Sequence, residues 1–164
     1  MTFVKRVGIG TDVHRLVSGR PLVLAHVPIE FDRGLAGHSD GDVVLHAVID
    51  ALLGAAGLPD IGERFPDTDS KFEDADSGEL LADALVVVRS TGFVPINVDV
   101  IVHAEQPKLS PYKPAMRAEL ARLLGLDIDS VSIKAKTGEG LGAIGGGDAI
   151  ACTAIVGLGS AERP

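Results

Sequence analysis

An α/β (α+β) fold, built as one domain around a mixed β-sheet, is predicted by three observations. Segments of strand and helix character interleave along the chain and do not group into separate blocks. The 164 residues suit a single domain spanning 1–164, and no linker, repeat or low-complexity block divides them. Hydrophobic residues make up 46% and aromatics only 4%, with no Trp, so the core is assembled from Val, Ile, Leu and Ala.

The elements follow in order. Residues 4–9 predict a first strand ending at Gly10, and residues 22–27 and 29–31 give strand material around Pro28. A helix is expected over 41–56, with Asp40 as its N-cap and Gly57 as its stop. Residues 60–77 are polar and rich in Asp and turn signals; a loop of that length is functional or mobile as a rule. A second helix is expected over 79–90, a strand alternating over 96–103, and a third helix over 114–124 followed by Gly125. Strands at 131–136 and 150–156 flank a glycine-rich turn at 138–147. The strand at 150–156 is almost wholly apolar, so both of its faces need cover, from helices or from a neighbouring subunit.

The net charge of -8 excludes nucleic acid and anionic membrane as bulk partners. An anionic small molecule requires local cations. The only cysteine, Cys152, cannot form an internal disulfide, which fits a reducing cytoplasm. Apolar runs fall short of a membrane span, and the N-terminus shows no signal-peptide pattern, so a cytoplasmic, unprocessed chain is expected.

Asp12 and His14 are two residues apart after the first strand. In extended backbone that spacing projects both side chains to one side, where they reach a common ion or form a solvated pair. His46 lies inside an apolar helix, where an unpaired imidazole is costly; it is either a hydrogen-bonded core residue or a ligand. Together Asp12, His14 and His46 supply three ligands with an open fourth position, the pattern of a catalytic zinc site. Asp50, one turn after His46, is placed to orient its ring or is simply a solvated helix residue. His38, Ser39, Asp40, Gly41 and Asp42 sit at a helix N-terminus, suited to a phosphate or to a simple cap. Lys136 and Thr137 suit phosphate oxygens, and Glu139 suits a hard cation such as Mg²⁺. The glycine run has neither the spacing nor the following helix of a Walker loop.

Taken in order, the stretches Gly10-Thr11-Asp12-Val13-His14, 38–47, Pro59-Asp60-Ile61-Gly62, Phe65-Pro66-Asp67-Thr68-Asp69 and 136–142 resemble the 2-C-methyl-D-erythritol 2,4-cyclodiphosphate synthase family, over about residues 7–156. The resemblance implies helices on one side of the sheet and a homotrimer with active sites between subunits. It implies zinc, or another divalent transition metal, on Asp12, His14 and His46, and Mg²⁺ or Mn²⁺ on Glu139. It places His38 and Thr137 around the transferred phosphate as catalytic residues. Asp12, Val13, His14, His38 and Ser39, with Asp60, Ile61, Gly62, Phe65, Pro66, Asp67, Thr68 and Asp69, would contact the substrate, the last eight at its erythritol phosphate part. Ala104, Pro107 and Lys108 match a cytidine pocket, with Lys136, Thr137, Gly138 and Glu139 as further contacts.

The reaction implied is cyclisation of a cytidine diphosphate ester. Its second phosphate attacks the β-phosphorus, and CMP leaves. The sequence departs from the family at Ala143 and Gly146, where an aromatic and an Arg are frequent. Two other readings use the same residues. A metal-dependent phosphohydrolase predicts linear products. A trimeric nucleotide-binding module requires a closed, four-ligand structural metal, for which Cys152 is a fourth ligand by residue type alone.

Overall fold

The first strand sets the geometry of everything around it. β1 (Arg6–Ser18) does not end at Gly10 but continues to Ser18, so Asp12 and His14 lie within a strand and not after one. Pairing with the strand Ala149–Ser160 as far as Arg15 and with the strand Arg33–Leu35 beyond it carries the continuation, and the two glycines of β1 seat it against a helix. A Cβ on Gly8 would lie 2.0 Å from the carbonyl oxygen of Ala51, and one on Gly10 would lie 2.0 Å from that of Ala47. Both carbonyls belong to α1 (Val43–Ala56). The absent side chains let strand and helix backbones meet, against the small Ala47, Ala51 and Ala55 one helical turn apart. The computed structural model describes residues 3–66, 68 and 75–161.

β2 (Leu22–Leu24) and β3 (Val27–Ile29) form a separate antiparallel hairpin, turned by Ala25 and His26 with φ of 52° and 61°. β4 (Arg33–Leu35) was not foreseen and pairs with the far end of β1. α1 follows. Its N-cap is Asp42, not Asp40: the Asp42 carboxylate accepts from the backbone N–H of Val44 and Leu45. The same carboxylate accepts from Ala25 and His26, so one wholly buried side chain ties the hairpin turn to the helix. Burial pushes that carboxyl up to about 6 despite these bonds. Gly57, at φ 73°, ends the helix in the left-handed conformation, as expected.

The polar stretch at 60–77 is not structureless at either end. It contains α2 (Ile61–Arg64), capped by Asp60, and leads into α3 (Ser77–Ser90), capped by Asp76 and two residues longer at its start than expected. β5 (Phe93–His103), α4 (Lys113–Leu124), a 3₁₀ turn at Ile128–Ser130 and β6 (Val131–Lys136) follow. The glycine-rich turn holds a further short helix, α5 (Gly142–Gly145), before β7 (Ala149–Ser160).

The main sheet runs β4-β1-β7-β5-β6. Only β5 and β6 are parallel within it; the other pairs are antiparallel, so the sheet is mixed as predicted. α1 packs on β1, β7 and β5, α3 packs on α1 and β5, and α4 packs on β6. All three cover one face. α1 is buried almost all round, and side chains such as Leu45, Ile49, Leu52 and Leu53 each contribute about 1.5–3 kcal/mol by leaving water. The opposite face carries Val7, Ile9 and Val13 of β1 and Ile155 of β7, which are 65%, 64%, 61% and 43% exposed. Thus β7 has the cover its apolar sequence demands on one face only within the chain.

Candidate metal centre

The alternation of β1 decides what reaches the helix side. Gly8 and Gly10 face α1, so Asp12 and His14 continue along the same row, while Val13 points to the open face. α1 meets that row with His46, one turn from its N-terminus. The Asp12 Oδ2 atom lies 2.8 Å from His14 Nε2 and 3.0 Å from His46 Nδ1, and the two nitrogens are 3.3 Å apart. Among the described residues no fourth His, Cys, Asp or Glu joins these three.

The outward partner of His14 assigns its ring proton, and His46 turns its outward nitrogen to hydroxyls. His14 Nδ1–H donates to the Ala36 carbonyl, which leaves a lone pair on Nε2. His46 Nε2 faces the hydroxyls of Ser39 at 3.1 Å and Ser77 at 3.0 Å, which leaves Nδ1 toward Asp12. Two imidazole nitrogens and a carboxylate oxygen therefore converge on one point. Without a cation they repel one another or must take up protons. Two nitrogens held tetrahedrally at 2.0–2.1 Å from an ion would be about 3.3 Å apart, so this donor set fits a zinc-like ion.

The electrostatics agree. Burial works to raise the Asp12 carboxyl, but hydrogen bonds with His14 and His46, whose inward nitrogens carry protons when no cation is bound, outweigh it and hold it well below the usual carboxylate range. Burial works against a charged His14, but Asp12 and the Ala36 carbonyl outweigh it and push the imidazole above its ordinary value. Both shifts express a local demand for positive charge. Cys152 pairs in register with Asp12 but lies buried in the sheet, where burial pushes its thiol up and keeps it neutral. It is no fourth ligand.

The centre opens into a cavity of about 310 Å³ lined by His14, Gly37, His38, Ser39, His46, Ile61, Gly62, Phe65 and Leu80. His38 is exposed at this cavity, whereas Ser39 is buried, its hydroxyl engaged by His46 and the Gly41 N–H. Arg20, which sequence reading passed over, holds the 37–39 segment by donating to the carbonyls of Gly37 and Ser39. Asp60 is engaged as the cap of α2, accepting from Glu63 N at 2.9 Å. Asp50 does not orient His46; its carboxylate accepts from Ile61 N at 3.1 Å and so seats α2 beside the cavity. Pro66 is half-buried and Thr68 exposed; Asp67 and Asp69 lie outside the described residues.

The remaining predicted residues gather elsewhere. Ala104, Pro107, Lys108, Lys136 and Thr137 line one side of a second cavity, of about 430 Å³, together with residues 105, 106, 109, 110 and 135. Thr137 Oγ1 donates to Glu139 at 3.1 Å, and Gly138 N donates to Glu105 at 3.0 Å. Glu139 does not join the Asp12 cluster within the chain. Register explains the gap. Val13 and His103 both face Ala151, and His103 faces Lys136, so the two groups share one end of the sheet but lie three strand spacings, about 14 Å, apart.

A mixed sheet covered on one face by helices, with one carboxylate and two imidazoles converging beside a cavity, defines a small α/β protein with a candidate metal centre of three ligands. The chain belongs to the YgbB family, whose profile matches residues 5–159. It is 56% identical to the 2-C-methyl-D-erythritol 2,4-cyclodiphosphate synthase of Bordetella avium, over 94% of this chain and 96% of that one. It is 53% identical to the synthase of the same name from Salinibacter ruber, over 95% of this chain and 99% of that one.

Among solved structures, the bifunctional IspDF from Campylobacter jejuni matches with a TM-score of 0.93 and 46% identity. The match covers 99% of this chain and 44% of that longer one. A 2C-methyl-D-erythritol-2,4-cyclodiphosphate synthase in a CDP-bound form matches with a TM-score of 0.87 and 39% identity, over 93% of this chain and 99% of that one. Among the described residues no helix is long and apolar enough to cross a membrane.

Proposed function

We propose that this chain is a metal-dependent cyclodiphosphate synthase. It converts 4-diphosphocytidyl-2-C-methyl-D-erythritol 2-phosphate to 2-C-methyl-D-erythritol 2,4-cyclodiphosphate and releases CMP, which makes it a phosphorus–oxygen lyase of the non-mevalonate route to isoprenoid precursors. The observation that carries this reading is the convergence of Asp12, His14 and His46 at the floor of a cavity, with their remaining protons directed elsewhere. Asp12, His14 and His46 would hold zinc and Glu139 a Mg²⁺ or Mn²⁺, which when bound supply Lewis-acid polarisation of phosphoryl oxygens and absorb leaving-group charge.

The chain's own residues do the rest. The nucleophile is a phosphate oxygen that is already anionic, so no general base is needed. His38, lining the first cavity, and Thr137, lining the second, would flank the transferred phosphate where the first cavity of one subunit meets the second cavity of another. Ile61, Gly62 and Phe65 wall the first cavity for the methylerythritol part and exclude water, whose entry would give a linear product. Ala104, Pro107 and Lys108 shape the second cavity for cytidine, and Lys136 offers positive charge to the diphosphate. Holding both ends of one substrate supplies proximity, for which intramolecular reactions gain roughly 7–11 kcal/mol.

The two half-sites lie about 14 Å apart across the sheet of one chain. A homotrimer in which the exposed Val7, Ile9, Val13 and Ile155 face sister copies would cover that apolar face and set one chain's metal centre against the next chain's Glu139 loop. Phosphorus NMR of the purified protein with the cytidine diphosphate substrate and Mg²⁺, with and without a zinc chelator, tests the reading. A cyclic diphosphate plus CMP, lost on chelation, is the expected result; linear products would make the protein a hydrolase.

A further inference from the structure

Resting on the zinc reading above, we propose that Ser77, backed by Asp40, is a positioning residue for His46: it takes the ring's Nε2 proton and so holds the Nδ1 lone pair on the ion. Ser77 is the first residue of α3 and is completely buried at 0% exposure. Its Oγ lies 3.0 Å from His46 Nε2. The hydroxyl has one proton, and that proton goes to Asp40 Oδ1 in a short hydrogen bond. Asp40 is fixed in turn, because Oδ2 accepts from Ser77 N at 3.0 Å and Oδ1 accepts from Asp42 N at 3.0 Å.

The direction of the chain follows from counting protons. A hydroxyl that has already donated offers only lone pairs, so His46 Nε2 must be the donor to it. Nδ1 is then bare, 3.0 Å from Asp12 Oδ2 and 3.3 Å from His14 Nε2. Ser39 also lies 3.1 Å from Nε2, and its Oγ accepts from Gly41 N. No described acceptor takes the Ser39 proton, so Ser39 leaves the direction open, whereas Ser77 does not. Asp40 polarises Ser77, Ser77 polarises the imidazole, and the imidazole becomes a better donor of its Nδ1 lone pair. The relay also ties the ligand on α1 to the first turn of α3.

The test is zinc affinity, measured by competition with a chelator on the full chain, with the absorption spectrum of the Co²⁺-loaded protein as a second readout that needs no turnover. Ser77→Ala is expected to weaken zinc by roughly 10–100-fold and to alter the cobalt bands, with Asp76 still capping α3. Asp40→Asn, which keeps the hydroxyl, is expected to move both readouts the same way by less. Unchanged affinity and cobalt bands in folded Ser77→Ala would overturn the relay. If that variant does not fold, Asp40→Asn and nitrogen NMR of His46 in the zinc-loaded wild type decide: a proton on Nε2 supports the relay, and zinc on Nε2 with a proton on Nδ1 overturns it. Wild-type protein that takes up no zinc overturns the zinc reading itself and is told apart by stoichiometry alone.

Discussion

The centre formed by Asp12, His14 and His46 and the clasp formed by His26, Asp76 and Glu119 both pair imidazole with carboxylate, and they differ in what faces each ring nitrogen. At the centre each ring turns its outward nitrogen to a neutral group, a backbone carbonyl or a serine, and its inward nitrogen to a shared carboxylate. At the clasp His26 Nδ1 faces Glu119 at 2.9 Å and Nε2 faces Asp76 at 3.1 Å. A ring with a carboxylate on each nitrogen donates twice and is an imidazolium. Hydrogen bonds donated to Glu119 and Asp76 push His26 above its ordinary value, while Arg122 first and His26 second hold Glu119 down to about 2. The clasp satisfies its own charge and has no use for a metal. It staples the β2–β3 turn to the starts of α3 and the middle of α4. A histidine near acids is thus a ligand or an ion pair according to its second nitrogen's partner, which residue type alone does not reveal.

The largest effect that would break this contrast is expected at the ligand itself. His46→Ala should remove stoichiometric zinc, with a loss of affinity beyond the roughly 10–100-fold that an outer partner is worth, and should reduce turnover to background. Metal analysis after dialysis and the phosphorus NMR assay check it, and full turnover of zinc-free protein would end the metal assignment. Gly10→Ala comes next. Its Cβ would strike the Ala47 carbonyl, so β1 and α1 must separate, destabilising the fold by about 1–3 kcal/mol and pulling Asp12 and His14 from His46. Denaturant midpoints and zinc affinity should fall together; a fall in stability with zinc binding untouched would show that the close approach does not set the centre.

Glu139→Gln should keep zinc and fold while weakening the Mg²⁺ dependence of turnover, since Glu139 lies outside the first cluster; an unchanged Mg²⁺ titration would remove it from the chemistry. The smallest effect belongs to the clasp. His26→Asn suits the left-handed φ of 61° and deletes only the ring. Because the folded His26 value is raised, its contribution is complete below the ordinary value of 6.5 and is lost as pH rises through the folded value. The variant should therefore melt below wild type near pH 6, by about 1 kcal/mol or less given the partial exposure of all three side chains, and the gap should close in alkali. Zinc affinity should not change. A gap that persists at high pH would mean that the ring packs and does not pair.

Much of the centre was legible before any coordinates. The two-residue spacing of Asp12 and His14 put them on one side of extended backbone, and an imidazole inside an apolar helix singled out His46. Their partners were less visible. Asp42 caps α1 while Asp40 reaches across to α3, and two aspartates a dipeptide apart are interchangeable in a local pattern. Ser77 looked like the polar end of a loop, although Asp76 and Ser77 ahead of an apolar periodic run were an available helix-start signal. Asp50, one turn from His46, offered the sequence two readings, a partner for that ring or a solvated residue, and instead accepts from Ile61, because α2 lay hidden in a stretch that composition marked as loop.

Local chemistry alone determined the class of the fold, the interleaving of its elements, the stop at Gly57 and the three candidate ligands, because hydrophobic periodicity, turn residues and spacing act over a few residues. Only the tertiary structure decided that β1 runs on past Gly10, that the His26 ring is clasped between two carboxylates while the His46 ring meets Asp12, and that the Glu139 loop lies across the sheet from the Asp12 cluster. Each of these depends on a contact between residues far apart in the chain. A backbone carbonyl of α1 above a glycine, or a serine of α3 behind a histidine of α1, has no trace in the sequence around either partner.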